Sequence, residues 1–190
     1  FEVGDSQVVI SVRKRDKETK IKAKALIAAD GAGSLVRRNL FPGLESSQAV
    51  GHFYRPILEG SIKLSQDHIH YFLETHQVPS HMVPKTDKVF LLGPITGPGE
   101  SSKLAWERLR ESSTQMYGLE ARVVGAHGCA FYESPRGEVP PGKGNVLLAG
   151  DALGVQREYG EAISSCLASG IEAGKAAVAA LESRTPATEI

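Results

Sequence analysis

The sequence predicts an α/β fold that carries an inserted, mainly antiparallel β-sheet domain. Residues 25–29 and 146–149 form two short apolar segments, and each ends in a pair made of aspartate and glycine before a region of helical pattern. Segments that are apolar on both faces are typical of strands buried between layers, as in a parallel sheet. The residues between them contain several strand-like pieces and one helical pattern, which predicts an antiparallel sheet with a helix packed against it.

Composition limits the class of protein. The 190 residues are 41% hydrophobic and 23% charged, as in an ordinary globular protein. The 22 basic and 22 acidic residues balance, so we predict no nucleic-acid partner. Cys129 and Cys166 lie far apart and outside any metal-ligand spacing, which predicts free thiols in a reducing compartment and hence a cytoplasmic protein. No apolar run approaches the roughly 20 residues that a membrane-spanning helix needs.

The first predicted segment, residues 1–45, begins with a hairpin. Apolar residues alternate from Val8 to Val12, a charged turn follows at residues 16–19, and alternation resumes from Ile21 to Ala25. This period of two predicts a hairpin with one wet face. After the apolar strand, Ser34 is placed to cap a short helix that contains Arg37.

The second predicted segment, residues 46–125, is the insertion. Strand-like pieces lie near residues 57–64, 68–73 and 89–92. After a Gly-Pro-Gly break, a helix is expected from Ser102 or a neighbour to Met116, with Trp106, Leu109 and Met116 on one side.

The third predicted segment, residues 126–190, ends in a long helix that begins beyond Gly160. Large apolar residues recur along it at helical spacing: Ile163, Leu167, Ile171, Val178 and Leu181. A second strip is made of small residues: Ala162, Cys166, Ser169, Ala173 and Ala177. Such a strip lets a helix approach a sheet or a cofactor closely, and Cys166 on it is expected in the core.

Asp30 and Asp151 stand at matching places, just after the two buried strands. Ligands of open α/β sheets bind outside the carboxyl ends of strands, and an ionised carboxylate there can fix the hydroxyl groups of a sugar. Both aspartates are therefore candidates for binding a ribose or a ribityl chain. A plain turn aspartate is the alternative for either residue alone.

These residues carry a resemblance to a known family. ALIAADGAGSLVRR, residues 25–38, resembles the Asp-Gly fingerprint of the flavoprotein aromatic hydroxylase superfamily. GNVLLAGDALGVQREYGEAISSCLASGIEAGKAA, residues 144–177, resembles the second FAD motif of that superfamily, and its helix of small residues is most similar to the geranylgeranyl reductase branch. The resemblance implies the carboxyl-terminal part of a three-layer, Rossmann-like FAD/NAD(P)-binding domain, built from residues 1–45 and 126–190, with residues 46–125 as the substrate domain.

The resemblance also implies roles for the second motif. Asp151 would bind the ribityl chain of FAD, and Gly150 would let the cofactor come close to the backbone. Gly154 and Gly160 would shape the loop beside the pyrophosphate and the isoalloxazine ring. A helix that starts near Glu161 and Ala162 would point its positive end at the N1/C2 carbonyl edge of the flavin.

In the first motif, Asp30, Gly31 and Arg37 would hold the loop on the pyrophosphate side, with Arg37 acting as a hydrogen-bonded brace. Two departures from the family pattern stand out. The G-x-G-x-x-G turn that binds the ADP half of FAD is absent, so an amino-terminal FAD-binding segment is expected as a missing partner. Ala162 also stands where the reductase branch has a glycine.

The function implied is that of an FAD-dependent oxidoreductase. Reduced FAD would deliver hydride to a carbon–carbon double bond of a hydrophobic or isoprenoid substrate held in a chamber of the middle segment, with NAD(P)H as a candidate electron donor. No catalytic residue is identified. Two alternatives stay open, namely a flavin-dependent monooxygenase or halogenase, and a non-catalytic fragment that lacks a complete FAD site.

Two weaker patterns remain. The hairpin carries seven basic residues, which could attract an NADPH phosphate or allow peripheral association with an anionic membrane, or simply form a solvated face. They are Arg13, Lys14, Arg15, Lys17, Lys20, Lys22 and Lys24. His68 and His70 share a strand face, but no third ligand follows at a familiar spacing, so no metal site is predicted.

Overall fold

The computed structural model describes residues 1–4, 7–42, 44, 49–72, 80–97, 99–133, 140–155 and 162–189. They form two compact units. Unit 1 contains residues 1–49 and 131–190, and unit 2 contains residues 50–130. The assignment of FAD-binding and substrate-binding roles to residues 1–45, 46–125 and 126–190 stays a prediction.

In chain order the elements are β1 Glu2–Val3, β2 Val8–Lys14, β3 Lys17–Ala23, β4 Leu26–Ala28, α1 Leu35–Leu40, β5 Ala49–Ser61, β6 His70–Phe72, β7 Ser80–Pro84, β8 Val89–Thr96, α2 Ser102–Tyr117, β9 Glu120–Glu133, β10 Gly142–Lys143, β11 Val146–Leu148 and α3 Ile163–Ser183. Single helical turns occur at Gly150–Ala152 and Ala187–Glu189.

The two apolar segments form neighbouring parallel strands, as predicted. β4 pairs with β11, with Leu26 opposite Val146 and Ala28 opposite Leu148, and β10 pairs antiparallel on the other side of β11. The side chains of β11 are all buried. In β4 the expectation of burial on both faces is wrong for Ile27, which is 40% exposed, because β4 is the last strand of this sheet and part of its surface has no neighbour within the described residues.

The predicted hairpin is present, but its turn and its buried face differ from the prediction. β2 and β3 pair from Val8 opposite Ala23 to Lys14 opposite Lys17, so the turn lies at Arg15 and Asp16 rather than at residues 16–19. Beyond Ile10 both faces are exposed, including the side chains of Val12 and Ile21. The alternating pattern therefore predicted strand pairing correctly, whereas no part of the described core covers the far half of the ribbon.

Unit 2 is a five-stranded antiparallel sheet in the order β6-β7-β8-β5-β9, with α2 packed against one face. Trp106 and Leu109 of α2 are buried against the sheet, on one side of the helix as predicted, and Trp106 makes an edge-on contact with Tyr54. Met116, expected on the same side, is instead 47% exposed near the end of the helix. The helix is capped at Ser101 and ends at Gly118 in the left-handed conformation.

The small-residue strip of α3 packs toward the parallel sheet. Ala173 and Ala180 are buried together with Leu147 and Ala149 of the β11 region. The large apolar residues of α3 point elsewhere and are 49–77% exposed: Ile163, Leu167, Ile171, Val178 and Leu181. Within the described residues, no helix is long and apolar enough to cross a membrane.

Candidate functional site

Both sequence motifs reach the same end of the parallel sheet. Ala28 and Leu148 are partners at the ends of their strands, and the Ala149 N–H donates to the Ala28 carbonyl at 2.9 Å. The Asp30-Gly31 and Gly150-Asp151 turns follow directly from these positions. The carboxyl ends of parallel strands are where α/β folds bind ligands, so the two predicted motifs lie at one candidate site.

Arg37 connects the two turns. It is 1% exposed, and its Nη1 donates to the carbonyls of Asp151 and Ala152 at 3.2 and 2.8 Å. Its Nη2 donates to the carbonyl of Ala32, in the first turn. One planar guanidinium therefore holds backbone from both motifs at once, a geometry suited to the rigid fork of arginine donors. The role of Arg37 toward FAD stays a prediction.

The ring of Tyr132 packs against the guanidinium of Arg37. The guanidinium carbon of Arg37 lies 3.6 Å from the centre of the Tyr132 ring, and the tyrosine is 1% exposed. A cation over an aromatic face is stabilised by the quadrupole of the ring, more strongly when water is excluded. Tyr132 was not predicted from the sequence, and no local pattern marks it, because it lies 95 residues from Arg37 on a strand of ordinary composition.

Asp30 caps α1. Its Oδ2 accepts hydrogen bonds from the backbone N–H groups of Leu35 at 2.9 Å and Val36 at 3.4 Å. Ser34, the predicted cap, accepts from the Arg37 N–H at 2.9 Å. These contacts satisfy donors that the first turn of a helix leaves open. They give Asp30 the structural role that was the alternative to ligand binding, while a ligand role for Asp30 stays a prediction.

The side chain of Asp151, in the second turn, lies next to α3. Its Oδ1 is 3.7 Å from Sγ of Cys166, and the Gly150 N–H donates to Oγ of Ser169 at 2.9 Å. Burial, together with the charge of Asp151 and the hydrogen bond to it, raises the pKa of the Cys166 thiol. Cys166 is only partly buried, so the expectation of a core cysteine is wrong, because this side chain borders the turn instead of the apolar interior.

Glycines give the two turns their shape. Gly31, Gly150 and Gly154 have φ values of +80°, +60° and +75°, which only glycine adopts readily. A Cβ built on Gly31 would meet no atom within 4 Å, so open space lies in front of this turn. The second turn contributes the partly buried carboxylate of Asp151. An acceptor for hydroxyl groups next to accessible, glycine-lined backbone fits the ribityl and phosphate parts of FAD.

The remaining predicted residues lie at the start of α3. Ala162 is the residue that precedes the helix, and its carbonyl accepts from the Cys166 N–H at 2.7 Å. Among the residues that the structure describes, no side chain caps this helix end. Gly160 and Glu161 fall outside the described residues. The prediction that the helix begins near Glu161 therefore agrees in position, and its approach to a flavin stays a prediction.

A family model for the FAD binding domain matches residues 3–156. The match includes both turns, from Asp30 to Gly154, and Arg37 between them. No curated protein matches the chain in sequence.

Solved structures of several proteins share the fold across nearly the whole chain. A geranylgeranyl bacteriochlorophyll reductase-like protein from Thermoplasma acidophilum has a TM-score of 0.69 at 18% identity, with 92% of this chain and 45% of that chain covered. The flavin-dependent halogenase CmlS has a TM-score of 0.66 at 14% identity, with 93% and 34% covered. The p-nitrophenol 4-monooxygenase PnpA from Pseudomonas putida has a TM-score of 0.60 at 18% identity, with 97% and 48% covered.

The chain spans less than half the length of each of these proteins. At such identities the likeness concerns the fold, and it agrees with the predicted α/β architecture and its antiparallel insertion. The family match, over more than three quarters of the residues, decides the assignment. The chain belongs to the FAD-binding-domain family, and FAD is its cofactor.

Proposed function

We propose that this chain is part of an FAD-dependent oxidoreductase that reduces carbon–carbon double bonds in a hydrophobic or isoprenoid substrate. The use of a flavin is supported by the Arg37 bridge, that is, the hydrogen bonds from the Arg37 guanidinium to carbonyls of both turns. This bridge holds the two family motifs together at one end of the sheet. The reductase part is supported by the likeness of the second motif to the geranylgeranyl reductase branch and by the fold shared with a geranylgeranyl reductase-like protein.

The residues divide the work of holding the cofactor. Asp151 would accept hydrogen bonds from ribityl hydroxyls, and Gly150 and Gly154, both at positive φ, would shape the backbone that approaches the cofactor. Gly31 presents open backbone toward the pyrophosphate, and Arg37 fixes the spacing of the two turns. The amino terminus of α3, at Ala162, favours negative charge nearby by about 0.3–1 kcal/mol.

When bound and reduced, FAD would supply a hydride to one carbon of the substrate double bond, a proton would add to the other carbon, and NAD(P)H is the proposed source of the electrons. Unit 2 binds the substrate and excludes water from it. The protein groups therefore orient the cofactor and the substrate and tune the reactivity of the cofactor, which itself supplies the redox chemistry.

We also propose that a dinucleotide-binding segment with a glycine-rich phosphate turn completes the FAD site. β4 is the last strand of its sheet, with Ile27 40% exposed, so a further parallel strand can pair there. The apolar face of α3, from Ile163 to Leu181, is exposed in the same unit. A strand followed by a helix would cover both surfaces and contribute the adenylate contacts.

Two further proposals concern location. The basic side chains of the β2–β3 hairpin are exposed, which suits peripheral association with an anionic membrane carrying a hydrophobic substrate. The free thiols of Cys129 and Cys166 suit the cytoplasm.

The first experiment is an absorbance spectrum of the complete protein that contains this chain, followed by anaerobic titration with NADPH. We expect a flavin band that bleaches with NADPH, recovers on addition of an unsaturated isoprenoid and recovers slowly with oxygen. Absence of flavin, even after incubation with FAD, would contradict the proposal and would favour a non-catalytic FAD-fold module.

A flavin-dependent monooxygenase or halogenase is the second candidate function. It is favoured by the fold shared with the halogenase CmlS and the monooxygenase PnpA. Fast recovery of the flavin band in air, with peroxide release that a substrate suppresses, would select this reaction over double-bond reduction.

A further inference from the structure

One cluster of polar groups in unit 2 has no part in the flavin site. It lies on the five-stranded sheet and is formed by Arg55 of β5, His81 of β7 and the rings of Phe53 and Tyr71. Tyr71 is opposite His81 across β6 and β7, and His81 is opposite Gly93 of β8. The register of β5 and β8, from Phe53 opposite Ile95 to Ile57 opposite Leu91, places Arg55 opposite Gly93. The cluster therefore crosses four neighbouring strands.

The cluster lies on the sheet face away from α2. Phe72, Met82 and Leu92 pack with Trp106 of α2, and successive residues of a strand point to opposite faces. Tyr71 and His81, one position earlier in their strands, therefore point to the other side. Gly93 contributes no side chain to the row between His81 and Arg55.

Arg55 is a half-buried cation without a counter-charge among the described residues. Its guanidinium carbon lies 4.6 Å from the centre of the Phe53 ring, while its Nε is buried and makes no hydrogen bond. No carboxylate of the described chain forms an ion pair with it. Burying a charge without a partner is costly, and a cation–π contact offsets only part of this cost.

His81 is the second unsatisfied group. It is 5% exposed, and its Nδ1 is buried without a hydrogen-bond partner. Its ring lies 6.2 Å from that of Phe53 and 5.9 Å from that of Tyr71, measured between centres. Burial, and next the charge of Arg55, lowers its pKa to about 4, so the imidazole is neutral at pH 7 and can still donate one N–H.

We propose that Arg55 and His81 bind an anionic oxygen of the ligand, carried by a carboxylate or a phosphate group, on the face of the unit 2 sheet away from α2. Such a ligand would supply the missing charge to Arg55 and an acceptor to His81, while Phe53 and Tyr71 pack against its apolar part. If the ligand is the substrate, the proposal rests on the proposed function and means that the hydrophobic substrate also carries an anionic head group. As a binding site it requires no flavin.

The test is a calorimetric titration of the complete protein that contains this chain, in its flavin-free form. The three probes share one isoprenoid tail and differ in the head group: geranyl diphosphate, geranic acid and geraniol. We expect at least one anionic probe to bind about 10- to 100-fold tighter than the alcohol, as a charge-assisted hydrogen bond allows. The stronger anion identifies a phosphate or a carboxylate as the head group. Equal binding of all three probes, or no binding of either anion up to millimolar concentration, would overturn the proposal.

Variants separate the proposed role from a structural one. Arg55→Met should abolish the preference for the anion while leaving the melting temperature unchanged or higher, because it removes an uncompensated charge. His81→Phe should reduce the preference in part. Arg108→Met is the matched control, since Arg108 is an exposed arginine of α2 in the same unit, and it should keep the full preference. An Arg55→Met protein that retains the preference would also contradict the proposal. The titrations contain no flavin. Failure to bind the anionic probes would therefore contradict only the anion site, whereas absence of flavin would contradict only the proposed function.

Discussion

At the level of single residues, the candidate site depends on Arg37 more than on either aspartate. Its guanidinium is the contact that joins the two family motifs, and it has backbone carbonyls on its donor side and the Tyr132 ring on its face. Asp151 and Asp30 hold local positions, whereas Arg37 sets the spacing between turns that are remote in sequence. Removing it should therefore affect both turns.

We expect Arg37→Met to lower the free energy of unfolding by about 3–5 kcal/mol, because carbonyls of both turns lose buried, charge-assisted hydrogen bonds. Arg38→Met, one residue along the same helix at an exposed position, should cost at most about 1 kcal/mol. Urea unfolding followed by circular dichroism gives both values. Equal losses for the two variants would show that the bridge contributes little.

Asp151 should control the reactivity of Cys166. Burial is the largest cause of the raised pKa of Cys166, and the charge of Asp151 is the next. In a Cys129→Ser background, Asp151→Asn should shift the pH midpoint of iodoacetamide alkylation downward, because the thiolate no longer faces a carboxylate. The midpoint should stay above that of a free cysteine. Asp67→Asn, at an exposed position in unit 2, should leave it unchanged, and an unchanged midpoint in Asp151→Asn would refute the coupling.

At the level of elements, the turn after β4 shows how one backbone angle distinguishes two neighbouring glycines. Gly31 and Gly33 both face open space, because a Cβ added to either would have no atom within 4 Å, but only Gly31 has a positive φ, +80°. Steric crowding therefore cannot explain a difference in stability between alanine variants at the two positions. The backbone conformation, which is left-handed only at Gly31, can explain it.

Gly31→Ala should destabilise the chain by about 1–2 kcal/mol, the cost of holding an L-residue in the left-handed region. Gly33→Ala should be neutral or stabilise the chain by about 0.4–1 kcal/mol, because alanine restricts the unfolded chain without strain in the folded one. Thermal unfolding of both variants measures the difference. Equal effects would mean that the turn changes its conformation to accept alanine.

The elements also show what could be predicted from sequence. The strands of the parallel sheet, the Ser34 cap and both turns were predicted, because they depend on short patterns: an apolar run, a capping residue, an Asp-Gly pair. β7 and β9 were not predicted. In β9, Gly125 and Gly128 interrupt the alternation where the strand passes close to β5, since a Cβ added to Gly128 would lie only 2.4 Å from the Phe53 carbonyl oxygen.

Exposure was harder to predict than structure. Val12, Ile21 and Ile27 follow strand patterns yet are exposed, since burial depends on what covers a strand and not on the strand itself. Contacts between remote residues were also missed, above all Tyr132 beneath Arg37 and the Arg55–His81 cluster. Neither has a local signal, because each is brought together by strand order.

At the level of the whole molecule, unit 2 makes stability depend on pH through His81. Its pKa is lowered to about 4 in the folded chain, against about 6.5 in an unfolded one. Between these values the unfolded state binds more protons, so stability is present above pH 6.5 and is lost as the pH falls toward 4.

The loss should reach about 3 kcal/mol at most, from the difference between the two pKa values. Urea unfolding at pH 7.5 and pH 4.5 should show it in the wild type, and His81→Asn should reduce the difference by that amount. His127→Asn, at an exposed histidine of β9, should preserve it. A pH dependence that survives the loss of His81 would assign the effect to other groups.

The Arg37 bridge also has a consequence for the order in which the chain is made. Its carbonyl partners at Asp151 and Ala152 lie 114 and 115 positions further along the chain. During synthesis on a ribosome, Arg37 emerges long before them and must remain in water while all of unit 2 is completed. Contacts between remote positions form late and slowly. The cofactor end of the sheet is therefore among the last parts of the molecule to assemble, and a nascent chain that stops before Asp151 cannot join its two turns through Arg37.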